Sequence, residues 1–331
     1  MIRRPTGSRN DASESGSPMW TSLARRLGGL LVVLFLVATM VFFLTRLAPG
    51  DPAAIMLGDQ ASPEDVARLR ATFGLDRPLL VQFALWLKEI ATGNFGRSIF
   101  LQQPVTTVLW DRAEPTFFLA LFSVAIAALV GVPAGIVSAV WRGRAVDQVV
   151  SGLALLAANV PSFWLGLILI QFFAVRLGWF PVAGYGAPGA SLGERLEHLV
   201  LPSLVLGIVN SALITRFTRA SMLDVLSNDY VRTARSKGLP ESRVVLRHAF
   251  GTALVPIVTV LGLTVALLIG GAIVTETVFG LPGIGNLVVS AVLRRDYPVI
   301  QGALVMVAGL YVLINLAVDL IYRLVDPRVT A

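Results

Sequence analysis

The chain has 331 residues, 55% of them hydrophobic and 14% charged, with no cysteine, two histidines and a formal net charge of +7. Soluble domains carry about 25% charged residues, so the sequence reads as an all-α integral membrane protein with the lipid bilayer as its solvent, and its basic excess is read by position rather than as a nucleic-acid footprint. The composition offers no disulfide framework and no thiolate site, and neither Lys88 nor Lys237 follows a glycine as a phosphate-binding P-loop requires.

Residues 1–20 are rich in Ser, Gly and Arg and are expected to form a disordered tail. The first apolar run, 27–44, lies in a membrane segment drawn at 21–45; it exceeds the roughly 7–15 residues of a secretory core, and Thr45-Arg46-Leu47-Ala48-Pro49 offers no cleavage context. Residues 46–114 form a small helical segment outside the membrane. There Ser62, Pro63, Glu64 and Asp65 open a helix, Gly74 closes it, and 78–90 repeats the logic with Leu79, Phe83, Trp86 and Leu87 on one face. The segment is too short for a solute-binding lobe with a large core of its own and reads as a lid on the outer mouth.

A crossing helix needs about 20 mostly apolar residues. Five further runs qualify, at 115–140, 149–175, 199–214, 252–275 and 299–318, giving a core at 115–321 and a tail at 322–331. The run at 199–214 is the shortest and contains Pro202. Residues 1–26, 141–148, 215–250 and 323–328 hold sixteen Lys and Arg, against four in the short opposite loops 176–198 and 276–298. The rest lie in 45–114, a stretch long enough to be exempt from the positive-inside rule, so both termini and the loop at 220–250 are expected on the cytoplasmic side.

That loop contains DYVRTARSKGLPESRVVLRHAF, residues 229–250. Ser227, Asn228 or Asp229 can cap a helix over 230–237, Gly238 can end it in the left-handed conformation, and Leu239-Pro240-Glu241 can start another. Val231, Ala234 and Gly238 suggest a stripe of small residues ringed by Arg232, Arg235, Lys237, Arg243 and Arg247. Two readings are open: a loop resting on lipid headgroups, or a helix that docks a cytoplasmic partner.

Ala234-x-x-x-Gly238, in a loop before the second-last span, resembles the EAA loop of ATP-binding cassette (ABC) importer permeases. Arg232 stands where that motif has Glu, and His248 and Gly251 replace its later Ile and Pro; the pattern Y-x-R-T-A-R-x-K-G-L is similar to the peptide-importer branch. TRLAPGDP (45–52), GLDRPL (74–79), GNFGRS (93–98), NVPSFWLG (159–166), ETVFGLPGIG (276–285), RRDYP (294–298) and DPR (326–328) resemble that family's landmarks in order, with the first motifs favouring the first of its two permeases. The resemblance implies type I importer architecture and a site at Tyr230, Arg232, Thr233, Ala234, Arg235, Lys237, Gly238 and Leu239 that receives the ATPase stroke. It also implies a second permease, two ATPases binding ATP and Mg, an extracytoplasmic solute-binding protein, and location in a bacterial inner membrane. This chain itself is expected to need no cofactor, no metal and no catalytic residue. Peptides are the expected cargo, with glutathione, nickel complexes and oligosaccharides left open.

No charged residue lies inside the six runs, so an ion-coupled carrier would lack an evident site. Asn159 and Asn210 either bond neighbouring helices or line the translocation path. Gly131-x-x-x-Gly135 suits close helix packing. GLPGIGN, 280–286, lacks Lys and reads as an outward turn; Glu276, Gly280, Pro282 and Gly283 are candidate contacts for the binding protein. Gly189-Ala190-Ser191-Leu192-Gly193 matches G-x-S-x-G but lacks the strand a nucleophile elbow requires.

Overall fold

The computed structural model describes residues 19–47, 51–57, 62–72 and 74–325. Most of the two expected tails, residues 48–50 of TRLAPGDP and the DPR motif lie outside the described residues. Among those described the chain is helical, with one isolated β-bridge between Arg97 and Pro104. Before the core come α1 (Met19–Leu47), α2 (Pro52–Leu57), α3 (Pro63–Thr72) and α4 (Leu79–Ala91). The core follows as α5 (Val105–Val140), α6 (Ala145–Asn159), α7 (Ser162–Leu169) with a π-helical continuation Ile170–Arg176, and α8 (Leu192–Leu226). The chain then runs through α9 (Asp229–Ser236), α10 (Glu241–Arg243) with a π-helical turn Val244–Ala249, α11 (Phe250–Val278), α12 (Ile284–Arg294) and α13 (Tyr297–Val325).

The run expected from 115 starts ten residues earlier, because Pro115 sits inside α5 rather than at its start. The short run at 199–214 is the middle of the 35-residue α8, which Pro202 does not break. At 1.5 Å per residue both helices are about 50 Å long, against roughly 30 Å of hydrocarbon. They project beyond the bilayer.

Glycine sets how α5 and α8 meet. A Cβ on Gly131 would lie 2.8 Å from Ile214 Cβ and the Ser211 carbonyl, and one on Gly135 would lie 2.5 Å from Thr218 Cβ. Gly207 is equally tight against Ile126. Positions four apart in α5 face positions four apart in α8, in the same order, so the two helices run parallel. Parallel helices need an odd number of crossings between them. The bent pair α6–α7 supplies one, and the described chain therefore crosses six times.

That crossing differs from the straight run expected at 149–175. Its two arms are bent by 99° relative to each other. Proline has no N–H and forces the preceding residue out of the helical region; Val160, before Pro161, is extended (φ −77°, ψ 123°). α1 and α13 run antiparallel, with Gln301 Nε2 donating to Thr45 Oγ1 at 2.6 Å where α1 ends and α13 begins. An even number of crossings puts both ends of the described chain on one side.

On the opposite side, α3 opens as expected, with Asp65 N–H donating to Ser62 Oγ at 3.2 Å, and Gly74 turns left-handed at φ +63°. Phe83 and Trp86 of α4 pack on Phe42 of α1, ring centroids 5.3 Å apart. The GNFGRS and RRDYP landmarks join: buried Asp296 accepts from Ser98 Oγ at 2.5 Å and from the Ile99 and Phe100 N–H groups at 3.2 and 3.3 Å. This lid is fastened to the turn between α12 and α13.

Gly135→Val should lower the thermal midpoint of the detergent-extracted protein, at a cost of about 1–3 kcal/mol for overpacking. Gly152→Val, where nothing lies within 4 Å of the added Cβ, should leave the midpoint unchanged.

Candidate functional site

The segment between α8 and α11 folds into the expected elbow. Asn228 is the N-cap in extended conformation (ψ 149°), though its side chain makes no capping bond. Gly238 closes α9 at φ +73°. Its N–H donates to the Arg235 carbonyl at 2.9 Å, and the Leu239 N–H reaches back to Ala234 at 3.4 Å. This is the paired Schellman closure that a left-handed glycine permits. Arg235 then spans the bend, donating from Nη2 and Nε to Glu241 at 2.7 and 3.1 Å.

Two members of the stripe of small residues face the chain itself. Val231 and Ala234 are buried against Val244, with Leu226 and Leu239 packed around them. An eight-residue helix cannot hold its place by backbone bonds alone, and this apolar seat is what fixes α9 to the chain. Tyr230 adds a tether through its hydroxyl, which donates to Thr252 Oγ1 at 3.0 Å. Tyr230, Arg232, Thr233, Arg235, Lys237 and Gly238 remain exposed, and Leu239 is half-buried. Ala234 is therefore a seat residue rather than part of the outward face.

The remaining candidates separate. Asn159 and Asn210 each donate to the carbonyl four residues earlier in their own helix, Leu155 and Leu206, at 2.7 and 2.8 Å. Asn159 sits at the 99° corner, and no hydrogen bond joins the two. Glu276 and Gly283 are corrected as surface contacts because both are buried, whereas Gly280 is exposed and Pro282 half-buried. The Glu276 carboxylate accepts from Thr116 Oγ1 at 2.6 Å and from the Asn286 N–H at 2.9 Å, while Thr116 accepts from the Ile284 N–H at 2.9 Å. Gly283 and Gly285 leave the space that this carboxylate fills. Ser191 caps α8 in a reciprocal box with Glu194, which explains the hydroxyl without catalysis.

One network gave no sequence signal. Asp147, buried at the start of α6, accepts from Arg219 Nε and Nη2 of α8 at 2.7 and 2.8 Å, from Ser138 Oγ of α5 at 2.5 Å and from the Gly143 N–H at 2.9 Å. It binds three spans on the elbow's side. On the lid's side Arg195 pairs with Glu114 at 2.8 Å, and the Tyr185 hydroxyl donates to the same carboxylate at 3.2 Å. Burial, then the negative charge of Glu114, push the Tyr185 phenol up to about 12.

Residues 131–331 match the family described as binding-protein-dependent transport system inner membrane component, and residues 19–120 match its N-terminal companion. The chain belongs to this family. Similar relatives include a probable peptide ABC transporter permease of Sinorhizobium fredii, 46% identical, and a putative peptide transport system permease of Brucella suis, 44% identical. The glutathione transport system permease GsiC of Escherichia coli is 41% identical, and each alignment covers 94% of this chain and 99% of the relative. In fold, the chain resembles an inward-facing MetNI methionine ABC transporter, with TM-score 0.57 and 20% identity over 66% of this chain and 96% of that one. It is thus a multi-pass ABC permease subunit. Its ATPase belongs to separate subunits, and membership implies association with ATP-binding and solute-binding proteins.

Glu276→Ala should cost about 1–3 kcal/mol by stranding the buried Thr116 and Asn286 donors, read as a lower thermal midpoint. Gly283→Ala should act in the same direction, because its methyl takes the carboxylate's space. A surface-contact role would leave both midpoints unchanged.

Proposed function

We propose that this permease pairs with a second, homologous permease to form the translocation path of a bacterial importer. In this reading two cytoplasmic ATPases bind ATP and Mg and drive the cycle, and a solute-binding protein delivers peptides from outside the inner membrane. The observation that carries the proposal is the elbow: a short helix seated on its apolar side, basic and exposed on the other, and continuous with both α8 and α11. Peptide cargo is supported by the peptide permeases among the relatives, and glutathione, itself a tripeptide, stays within that class.

The exposed residues Tyr230, Arg232, Thr233, Arg235 and Lys237 would meet the ATPase, while Gly238 and Leu239 set the angle of the bend. Asn159, at the corner of the bent span, and Asn210 are proposed to line the path by offering amide groups to peptide backbone. Of the outward turn, Gly280 and Pro282 remain available to the binding protein. Both termini are proposed to be cytoplasmic, from the distribution of Lys and Arg.

Since the chain has no cysteine, Ser236→Cys supplies this subunit's sole thiol. Membrane-impermeant maleimide should label it in inside-out vesicles and not in intact spheroplasts; the reverse result rejects the orientation. Gly238→Pro cannot adopt φ +73° and loses the N–H bonded to Arg235. In the assembled transporter it should lower peptide uptake at least tenfold while the ATPases still hydrolyse ATP and co-purify. Unchanged uptake would remove the elbow from the coupling mechanism.

A further inference from the structure

Where the lid meets α12, a cavity of about 180 Å³ is lined by Phe100, Arg112, Asn286, Ser290, Arg294 and Asp296, among others. We infer that it receives the carboxylate of an aspartate or glutamate side chain on the solute-binding protein. The inference rests on the importer reading above and gives that partner a contact point on the outer face.

The groove runs along one helix face. Asn286, Ser290 and Arg294 stand four residues apart in α12, so their side chains share a side of it. Arg112, from the first turns of α5, lines the same cavity. Among the described residues neither guanidinium has a carboxylate within 4 Å. Arg294 lies over the Phe100 ring at 5.6 Å, a contact that leaves its charge unneutralised. Asp296, the one carboxylate among the lining residues, is already engaged by Ser98 Oγ and by the Ile99 and Phe100 N–H groups. The Asn286 Nδ2 is spent on the Leu281 carbonyl at 3.1 Å, and Ser290 Oγ donates to Asn286 Oδ1 at 3.4 Å. Two cationic forks therefore remain for an incoming group, and a guanidinium matches a carboxylate in both shape and charge.

Size and place choose the occupant. The volume falls below the roughly 300–1,000 Å³ of small-molecule sites, which leaves room for an inserted side chain rather than for a whole tripeptide. Phe100 and Leu101 stand on its rim and are 47% and 42% exposed; aromatic and arginine side chains together are what protein interfaces favour. The groove lies on the lid's side, opposite the elbow, where a solute-binding protein must approach, and family membership already implies such a partner.

Ser290→Cys puts this subunit's sole thiol in the groove. In the intact transporter, held in phosphatidylcholine nanodiscs, an anionic methanethiosulfonate should modify it faster than a cationic one of similar size. Replacing both arginines (Arg112→Gln with Arg294→Gln) should abolish that preference. The purified solute-binding protein, loaded with peptide, should protect the thiol, and peptide alone should not. The double arginine variant should bind that protein about tenfold more weakly, the loss of roughly one charge-assisted contact, while exposed Arg176→Gln binds it as the wild type does. Absence of an anion preference, equal binding by the double variant, or protection by peptide alone would overturn the assignment. So would a thiol already blocked before the binding protein is added, which would give the groove to the second permease or to lipid. If the double variant does not assemble, reagent preference and protection in the Ser290→Cys transporter decide. A wild-type transporter that ignores the binding protein altogether sinks the importer reading too; one that responds equally with and without the arginines sinks the groove alone.

Discussion

The contact that fixes most of this molecule is the absence of side chains where α5 meets α8. In lipid there is no hydrophobic drive to bring helices together, so association depends on close packing. Gly131, Gly135 and Gly207 permit it by letting the Ile214, Thr218 and Ile126 side chains reach the opposing backbone. Because the resulting pair is parallel, the intervening chain must cross the bilayer, and the six-span topology follows. The elbow then necessarily lies on the same side as both ends of the described chain.

Charge is kept to the ends of the spans, where it ties elements together. Asp147 joins the ends of α5, α6 and α8 on the elbow's side. Glu276 joins α5, α11 and α12 on the lid's side, and Asp296 fastens the lid itself. Each carboxylate collects several donors, as a buried charge must. Burying such a group at mid-membrane would cost more than these loops and helix ends can return, so the middle of the bundle is left to glycine, small hydroxyls and apolar packing.

The number of crossings, the capped helix at Ser62 and the limits of the elbow's helix were legible in the sequence, because local rules dictate them. Asn228 and Gly238 specify the limits of an eight-residue helix whatever surrounds it. What was not legible depends on partners distant in the chain. A period of apolar residues says that Val231 and Ala234 are buried or docked, but not against what; Val244 and Leu226 supply that answer only in three dimensions. Glu276 near an outward turn looks like a surface group until Gly283 and Gly285 fold over it. Pro161 was visible, yet a proline in a membrane helix ranges from a slight kink to a right-angled corner, and the packing of Gly166 against Phe279 of the outward turn accompanies the larger bend.

The elbow's construction bears on how a push would travel. A helix attached only through its ends would swing on Gly238 and dissipate the displacement. Here the buried face of α9 is anchored on Val244 and Leu226, which belong to the two elements that lead into α11 and out of α8. Ala139, Met222, Val245, Ala249 and Ile257 then bind the ends of α5, α8 and α11 into one apolar cluster. Load placed on the exposed side of α9 passes into packed side chains before it reaches any hinge. Packed cores switch between discrete arrangements rather than stretching, so a displacement there would enter α8 and α11 together. The glycine packing of α5 on α8 would carry α5 along with it.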